Sequence, residues 1–301
     1  MDKKGILYAV GAFLMWGLFP VYWKQLELIP ALQLIGHRIA WSFILLMLVI
    51  LFSRQWRDFR ATLNIKTIRI YLIAALLISV NWFTYVWAVN SGFVVETSLG
   101  YYINPLFSVL LGVLVFRERL RRAQWIPIGL AAAGVIYLTA HYGSLPWIAL
   151  TLAFTFGLYG LVKKTAPLSS LYGLTLETGL LFLVAVAFLL YSEAMGQGAF
   201  LHSGLKADSM MVGAGLVTTV PLLLFASAAQ RVPLTTIGVL QYINPTMQFL
   251  LGVLLYKEPF THERLIGFSI VWAGLILFWL EGLYSRRNIA PEPLPEMGEG
   301  D

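Results

Sequence analysis

The chain has 301 residues, of which 59% are hydrophobic and 12% are charged, and its mean hydropathy is +0.77. This composition excludes a water-soluble domain, which could not bury so much apolar surface, and predicts an integral membrane protein. The net charge is +6, and the basic residues lie in short turns between apolar runs, which favours a role in membrane topology over nucleic-acid binding. The absence of cysteine excludes disulfides and thiolate metal sites.

Ten apolar stretches follow one another along the chain, each close to the length of about 20 residues that crosses a bilayer as a helix. They lie at about 5–23, 31–53, 68–90, 94–116, 123–140, 144–162, 168–192, 210–230, 235–256 and 264–283. Because backbone amides that face lipid must be hydrogen-bonded within their own segment, we predict ten transmembrane helices and no strands. The first stretch contains no cleavage site and is predicted to be a retained span.

The Lys and Arg residues divide unequally between the two sides of this predicted topology. Sixteen lie on the side of the N-terminus, and the four on the other side are Lys24, Lys206, Lys257 and Arg264. Positively charged loops remain in the cytoplasm, so both termini are predicted to be cytoplasmic. The expected location is the cell (inner) membrane, with the chain crossing it many times.

A motif in the fourth predicted span returns 140 positions later in the ninth. Tyr102-Ile103-Asn104-Pro105 is repeated as Tyr242-Ile243-Asn244-Pro245, and Glu118 matches Glu258 at the same offset. Self-similarity at this length predicts a duplicated bundle of two repeats, at 3–140 and 144–283. The remaining residues, 285–301, are rich in Pro and Glu and are predicted to form a disordered cytoplasmic tail.

Each repeat contains five predicted spans, which is an odd number. The second repeat must therefore enter the membrane from the opposite side, so the two copies are predicted to be inverted relative to each other. The charges agree, because the basic turn at Arg117, Arg119, Arg121 and Arg122 has lost most of its charge in the second copy.

The repeated motif carries a polar stripe on one face of each helix. Helical spacing aligns Tyr101 with Asn104 in the fourth span and Gln241 with Asn244 in the ninth. Pro105 and Pro245 each remove one intrahelical hydrogen bond, which predicts a bend and a free carbonyl on the same stripe. The stripes are interpreted as the walls of a substrate cavity. The alternative is that the amides only bond neighbouring helices, at about 0.6 kcal/mol each.

Charged residues inside predicted spans are a second signal. His37 and Arg38 lie a third of the way into the second span, and the repeat places Glu177 opposite them in the seventh. An Arg at mid-depth costs at least about 2.5 kcal/mol on insertion scales. These residues are candidates for binding substrate charge, for a gating pair or for a proton site. Alternatively, Arg38 snorkels to the outer surface and Glu177 lies near the cytoplasmic end of its helix.

Aromatic and amide side chains in the first, third and sixth spans are further candidates for lining a cavity: Trp16, Asn81, Tyr85 and Tyr159. The alternative is packing or an interfacial belt, which is the more frequent role of an aromatic residue in a membrane helix. Gly112, Gly134, Gly252, Gly267 and Gly274 are predicted to allow close helix contacts.

Motifs of enzymes are missing from the sequence. His262-Glu263 is not followed by a second His at zinc-site spacing, and there is no Gly-rich phosphate loop or credible Ser nucleophile. We therefore expect no catalytic residues, no metal and no cofactor, and an intramembrane enzyme is a remote alternative.

The residue pattern resembles the drug/metabolite transporter superfamily, in its EamA-domain branch. A Pro in the fourth helix of a repeat, a Glu at the next turn and later Gly residues fit as Pro245, Glu258, Gly267 and Gly274. In the first repeat Pro127 stands where a Gly is usual, which is a departure in helix packing. The opening of the chain, with Trp16-Gly17 and the His37-Arg38 pair, resembles the RarD subfamily.

This resemblance implies an all-α membrane protein of ten helices in two inverted five-helix repeats. The first four helices of each repeat would enclose a cavity, the fifth and tenth would pack outside, and the first, third, fourth, sixth, eighth and ninth would line the substrate route. The function expected is a secondary transporter, a permease or exporter of small organic metabolites or drugs, working by alternating access. A passive channel or pore is the alternative. The expected partners are a small-molecule substrate and the lipid bilayer, with no nucleic acid; a coupling ion is not identified, and the protein would be a monomer or homodimer.

Overall fold

The computed structural model describes residues 2–91, 93–142, 145–257 and 262–287, and within these ranges all regular structure is helical. The helices are α1 Lys3–Trp23, α2 Ala31–Phe52, α3 Trp56–Ala61, α4 Ile65–Asn90, α5 Val94–Leu114, α6 Trp125–Tyr142, α7 Trp147–Thr165, α8 Ser170–Ala194, α9 Leu205–Ala229, α10 Leu234–Gln241, α11 Ile243–Leu250 and α12 His262–Arg287. Most of the predicted disordered tail, at 288–301, and Glu258 lie outside the described residues.

Eight helical stretches of the described chain are long and apolar enough to cross a membrane. They correspond to α1, α2, α4, α5, α6, α8 and α9 and to the segment Leu234–Leu255. The sixth and tenth predicted spans correspond to α7 and α12, both of them long helices. The protein is therefore an all-α, multi-pass membrane protein.

Local sequence explains where several helices begin. The carboxylate of Asp2 accepts hydrogen bonds from the backbone N–H groups of Lys4 at 2.8 Å and Gly5 at 3.3 Å, which caps α1. The bond from Gly5 lowers the pKa of Asp2 below its ordinary value. A proline stands directly before the first residue of α2, α7 and α10, where its missing N–H removes no helical hydrogen bond.

The chain forms two compact units. The first contains α1–α5 and α7–α11, and its packing repeats itself when the two halves of the chain are exchanged. Thus α1 packs against α9 in the same way that α4 packs against α7, and α2–α8 and α5–α10 are pairs of equivalent helices. The first helix of each repeat therefore packs against the third helix of the other.

Two glycines at equivalent positions allow the same close contact in each half. A Cβ on Gly17 in α1 would lie 2.5 Å from the Cβ of Met247 in α11. A Cβ on Gly157 in α7 would likewise overlap the ring of Phe107 in α5. Met247 and Phe107 are 140 positions apart, as the two glycines are. Small residues at such crossings let membrane helices approach closely.

The two copies of the repeated motif differ in backbone structure. Helix α5 continues through Pro105, whereas the ninth predicted span divides at Tyr242 into α10 and α11. A π-helical stretch, Leu251–Leu255, follows α11. The interruption lies three residues before Pro245. Because proline has no N–H, Pro245 cannot bond the carbonyl oxygen of Gln241, which precedes the interruption. Sequence identity in the motif thus does not produce identical backbones.

The second unit contains α6 and α12, the predicted fifth and tenth spans. A Cβ on Gly134 would meet Val271 at 2.9 Å, and one on Gly274 would meet the carbonyl oxygen of Pro127 at 2.7 Å. These predicted close-contact glycines therefore lie where α6 and α12 cross. Among the five glycines, Gly112 serves a different contact, described below.

Candidate solute cavity

A cavity of about 210 Å³ lies within the first unit. Its walls are formed by residues from both repeats: Trp16, Phe19, Pro20, Trp23, Arg38, Ile78, Asn81, Trp82, Tyr85, Gly100, Tyr101, Asn104, Leu152, Phe156, Leu222, Gln241, Asn244 and Gln248. The first, third, fourth, sixth, eighth and ninth predicted spans all contribute, and α2 adds Arg38. A concave surface that combines aromatic and aliphatic side chains with a few polar groups is the usual form of a small-molecule site.

The two repeated asparagines both line this cavity and are both buried. Asn104 is 6% exposed and Asn244 is 7% exposed. The Oδ1 atom of Asn244 accepts a hydrogen bond from Gln248 at 2.9 Å. In contrast, the Oδ1 atom of Asn104 has no hydrogen-bond partner within the described part of the chain. A buried unpaired amide oxygen is costly, so this atom is available to a ligand.

The predicted polar stripes meet where α5 crosses α10. Tyr101 and Gln241 line the cavity, and Gln241 accepts a hydrogen bond from Ser108 at 3.3 Å. At the next residue of the chain, the hydroxyl of Tyr242 donates to the carbonyl oxygen of Tyr102, its own counterpart in the other repeat, at 3.3 Å. The two copies of the motif are therefore in direct contact beside the cavity.

Pro105 and Pro245 lie in α5 and α11 but do not line the cavity. The carbonyl oxygen of Pro105 approaches Gly238 of α10, where a Cβ would lie only 2.6 Å from it. The bend predicted at each proline remains a prediction. The contact at Gly238 shows instead that Pro105 lies at a close approach of α5 and α10.

The aromatic and amide candidates of the first and third spans also line the cavity. Trp16 packs edge-on against Phe156, with ring centroids 5.6 Å apart. The rings of Tyr85 and Tyr101 are 6.0 Å apart in a T-shaped arrangement. Asn81 has a structural task as well, because its amide nitrogen donates to the carbonyl oxygen of Leu152 in α7 at 2.9 Å.

Arg38 reaches the cavity from α2. Its Nε atom donates to the hydroxyl of Thr218 in α9 at 2.9 Å. The guanidinium carbon lies 4.3 Å from the ring centroid of Trp82 and 4.9 Å from that of Trp23. Both distances are within the range of cation–π attraction. The alternative is that Arg38 extends its charge to the outer surface. In the structure its guanidinium instead lies against two indole rings beside the cavity.

Three other predicted site residues do not line the cavity. His37, 6% exposed, packs against the ring of Phe200 with centroids 5.0 Å apart. Glu177 is 2% exposed and forms an ion pair of 2.6 Å with Lys163 of α7. The hydroxyl of Tyr159 donates to the same carboxylate at 3.1 Å. Glu177 therefore pairs with Lys163 and not with Arg38, which bonds Thr218. The two residues do not form a gating pair with each other in this structure.

Sequence reasoning missed two participants in this geometry. Lys163 is one of the sixteen Lys and Arg residues that the predicted topology places on the side of the N-terminus, yet it is 1% exposed. The available signal was Glu177 in the next predicted span, because a carboxylate inside the membrane needs a cation as its partner. Trp23 was also missed, although its spacing of seven residues from Trp16 places both on one helical face.

Glu118, the residue at the turn after the fourth span, lies outside the cavity and contacts α10. Its two carboxylate oxygens accept hydrogen bonds from the backbone N–H groups of Leu234 at 2.7 Å and Thr235 at 2.8 Å. Lys164 lies 3.7 Å from the same group. A Cβ on Gly112 would lie 2.7 Å from this carboxylate, so the glycine makes room for it. Glu118 thus caps α10 from the other repeat.

No three His, Asp or Glu side chains in the described ranges are grouped so that they could hold a metal ion. The polar side chains among the described residues of the cavity wall include amides, tyrosines and one guanidinium.

Comparison with known proteins gives the same kind of molecule. The model of the EamA-like transporter family matches residues 3–140 and 145–280. An "Uncharacterized transporter YojE" of Bacillus subtilis is 49% identical, over 95% of this chain and 96% of its own length. "Protein RarD" of Streptomyces exfoliatus is 45% identical, over 95% and 91% of the two chains, and that of Escherichia coli is 39% identical, over 95% and 97%.

One solved crystal structure superposes with a TM-score of 0.68 at 17% identity, covering 93% of this chain and 99% of that one. At this identity the likeness concerns the fold alone. The two family matches and the full-length relatives carry the assignment: the chain belongs to the EamA-like transporter family of the drug/metabolite transporter superfamily, in its RarD subfamily, and is a multi-pass membrane transporter.

Proposed function

We propose that the protein is a secondary transporter that moves a small organic metabolite through the central cavity by alternating access. The runner-up is a passive channel or pore. The cavity volume of about 210 Å³ is below the 300–1,000 Å³ that is usual for drug-sized ligands, so a small metabolite fits it better than a large drug.

The observation that carries the proposal is that equivalent residues of both repeats line one cavity. Asn104 and Asn244 occupy the same motif position in the two copies, as do Tyr101 and Gln241. In transporters built from inverted repeats, the substrate binds at the interface between the repeats, where the helices are interrupted. The break between α10 and α11 lies beside Gln241 and Asn244 and supports this location.

The difference between the two copies suggests how access alternates. Helix α5 is continuous and its counterpart is divided. If the repeats exchanged these conformations, the same packing contacts would form with the halves reversed, and the cavity would open to the opposite side. The equivalent contacts at Gly17 and Gly157 support such an exchange, because each repeat already has the small residue that it requires.

The topology belongs to the same proposal. We place ten spans in two inverted repeats, 3–140 and 144–283, with both termini in the cytoplasm as the distribution of Lys and Arg predicts. Within the cavity, Asn104 and Asn244 would hydrogen-bond the solute, Trp16 and Tyr85 would pack against it, and Pro105 and Pro245 would shape the helices. His37 and Glu177 do not line the cavity. If either residue acts as a gate or a proton site, it does so without touching the solute.

The experiment is a substrate screen followed by counterflow. Purified protein is first screened by thermal shift with amino acids, nucleosides and amphipathic drugs. Each stabilising compound is then tested for accelerated uptake into proteoliposomes preloaded with the same compound. A carrier shows this trans-stimulation, whereas a pore shows equal uptake with and without preloading. Uptake without trans-stimulation would therefore contradict the carrier and favour the pore.

The variants Asn104→Ala and Asn244→Ala test the site itself. Both should reduce counterflow at least about tenfold, because each removes a buried hydrogen-bonding group from the cavity wall. Gln197→Ala, which removes an exposed amide outside the cavity, is the matched control and should transport normally. Normal flux in both asparagine variants, at normal expression, would remove these residues from the mechanism.

A further inference from the structure

We infer that Arg38 makes the cavity a binding site for small aromatic carboxylates, which rests on the proposed function and specifies its substrate class. Arg38 is the single charged residue among the described residues that line the cavity. A carboxylate entering this space would meet one fixed positive charge and no lining carboxylate. An amine of the same shape would meet the same charge with the opposite effect.

The guanidinium is held in place but not neutralised by the described residues. Its Nε atom is used by Thr218, and the rings of Trp23 and Trp82 lie against it. These contacts leave the N–H groups of the two terminal nitrogens available. No described carboxylate forms an ion pair with it. A guanidinium with free donors on one edge matches the two oxygens of a carboxylate.

Another cation within a helix of the described chain, Lys163, shows the surroundings of a charge that has a structural role. Lys163 is 1% exposed and is matched by Glu177 at 2.6 Å, with Tyr159 completing the carboxylate's hydrogen bonds. The fold therefore supplies a counter-ion where the charge only has to be buried. At Arg38 that counter-ion is missing from the described chain, although Glu177 lies in the equivalent helix. We assign the missing counter-ion to the solute.

The remaining walls indicate the rest of the solute. Aromatic rings of Trp16, Tyr85 and Phe156 line the same cavity, so a flat apolar body is favoured. Asn104 is only 6% exposed, and its Oδ1 atom has no hydrogen-bond partner among the described residues. This oxygen can accept a hydrogen bond from a donor group on the solute. One guanidinium balances one negative charge, so a carboxylate fits better than a phosphate dianion.

The test compares solutes that differ only in charge. Wild-type protein in nanodiscs is titrated with 3-phenylpropionate and indole-3-acetate, with their neutral amides, and with 3-phenylpropylamine and tryptamine. Binding is measured by isothermal titration calorimetry. We expect at least one of the two acids to bind, and to bind at least about tenfold more tightly than its amide, with no detectable binding of the amines. Phenyl phosphate should bind more weakly than that acid.

Variants of Arg38 locate the preference. Arg38→Gln should bind acid and amide equally, and Arg38→Lys should retain part of the preference for the acid. Arg69→Gln, an exposed arginine of α4 outside the cavity, is the matched control and should behave as wild type. The wild-type comparison of acid with amide needs no variant, so it stands even where Arg38→Gln does not fold.

Three results would overturn the inference: failure of both acids to bind wild type, equal binding of acid and amide, or an acid preference that survives in Arg38→Gln. These results are separable from failure of the proposed function. Counterflow of neutral or cationic solutes that is insensitive to Arg38 would leave transport in place and remove the anion site. Tight binding of an acid without trans-stimulation would leave the anion site and remove the carrier.

Discussion

Arg38 and Lys163 are two cations within long helices of the first unit, and their surroundings differ in a way that residue type alone does not reveal. Lys163 has a buried carboxylate partner, whereas Arg38 has two indole rings and one hydroxyl. The sequence marks Arg38 as a candidate site residue because its charge lies inside a predicted span. It does not mark its neighbours, because Trp23 and Thr218 come from other helices whose rotation depends on packing.

The buried pair Lys163–Glu177 predicts a large loss of stability when one partner is removed. Glu177→Gln or Lys163→Met leaves a buried charge without its partner, which should lower the free energy of unfolding by about 3–5 kcal/mol. The double variant, Lys163→Met with Glu177→Gln, should lose less than the sum of the single losses because no unpaired charge remains. Unfolding in detergent, followed by tryptophan fluorescence, measures all three.

The exposed pair of Glu193 and His202 is the control for that experiment. Their side chains are 54% and 60% exposed, with 2.9 Å between a carboxylate oxygen of Glu193 and Nε2 of His202. Glu193→Gln should change stability by less than about 1 kcal/mol, because exposed ion pairs contribute little. Equal losses in Glu177→Gln and Glu193→Gln would show that the buried pair is not the structural contact inferred from its geometry.

At the scale of elements, the repeat predicts which helices are equivalent but not how each copy is built. The sequence identifies the motif in α5 and at α10–α11, yet one copy is continuous and the other divides at Tyr242. The motif is identical in both copies, so the difference must come from the residues around it. Predicted span boundaries are likewise approximate: the third span begins at Ile65 rather than near 68, and the short helix α3 was not predicted.

Gly238 tests the α5–α10 crossing. Gly238→Ala places a methyl group 2.6 Å from the carbonyl oxygen of Pro105, so the backbones must separate, at a cost of about 1–3 kcal/mol. Gly129→Ala in α6 is the control, because nothing lies within 4 Å of its added Cβ. It should be neutral or slightly stabilising, since Ala favours helix. Melting temperatures of the two variants compare them, and an unaffected Gly238→Ala would disprove the tight crossing.

Glu118 tests whether one repeat caps a helix of the other. Glu118→Ala removes both acceptors for the backbone N–H groups of Leu234 and Thr235, which should destabilise the first turn of α10 by about 1–2 kcal/mol. Glu118→Gln keeps one oxygen acceptor, so its stability at this turn should lie between those of the wild type and Glu118→Ala. Hydrogen exchange resolved to these amides is the readout. Unchanged exchange in Glu118→Ala would contradict the cap.

At the scale of the whole molecule, composition alone predicts the membrane class, and the motif repeat predicts two related halves. The packing within the first unit adds what the sequence could not: the first helix of each repeat lies against the third helix of the other, as α1 with α9 and α4 with α7. Contacts between distant segments depend on side-chain fit across helices, which periodicity within one helix does not encode.

The absence of cysteine makes the proposed topology easy to test. A single cysteine replacing Arg57 should react with a membrane-impermeant maleimide only from the cytoplasmic face, and one replacing Lys206 only from the opposite face. The physical reason is the concentration of basic loops on the cytoplasmic side. Labelling of both positions from the same face would refute the predicted orientation.

The most direct measurement is the accessibility of a cavity residue from the two faces of the membrane. Leu222 of α9 lines the cavity and is 3% exposed, while Leu216 of the same helix is 55% exposed outside it. We expect Leu222→Cys to react with an impermeant maleimide added to either face, in right-side-out and in inverted vesicles. Leu216→Cys, on the exposed side of the same helix, should react from neither face. Reaction of Leu222→Cys from only one face, or from none, would contradict a cavity that opens alternately to both sides.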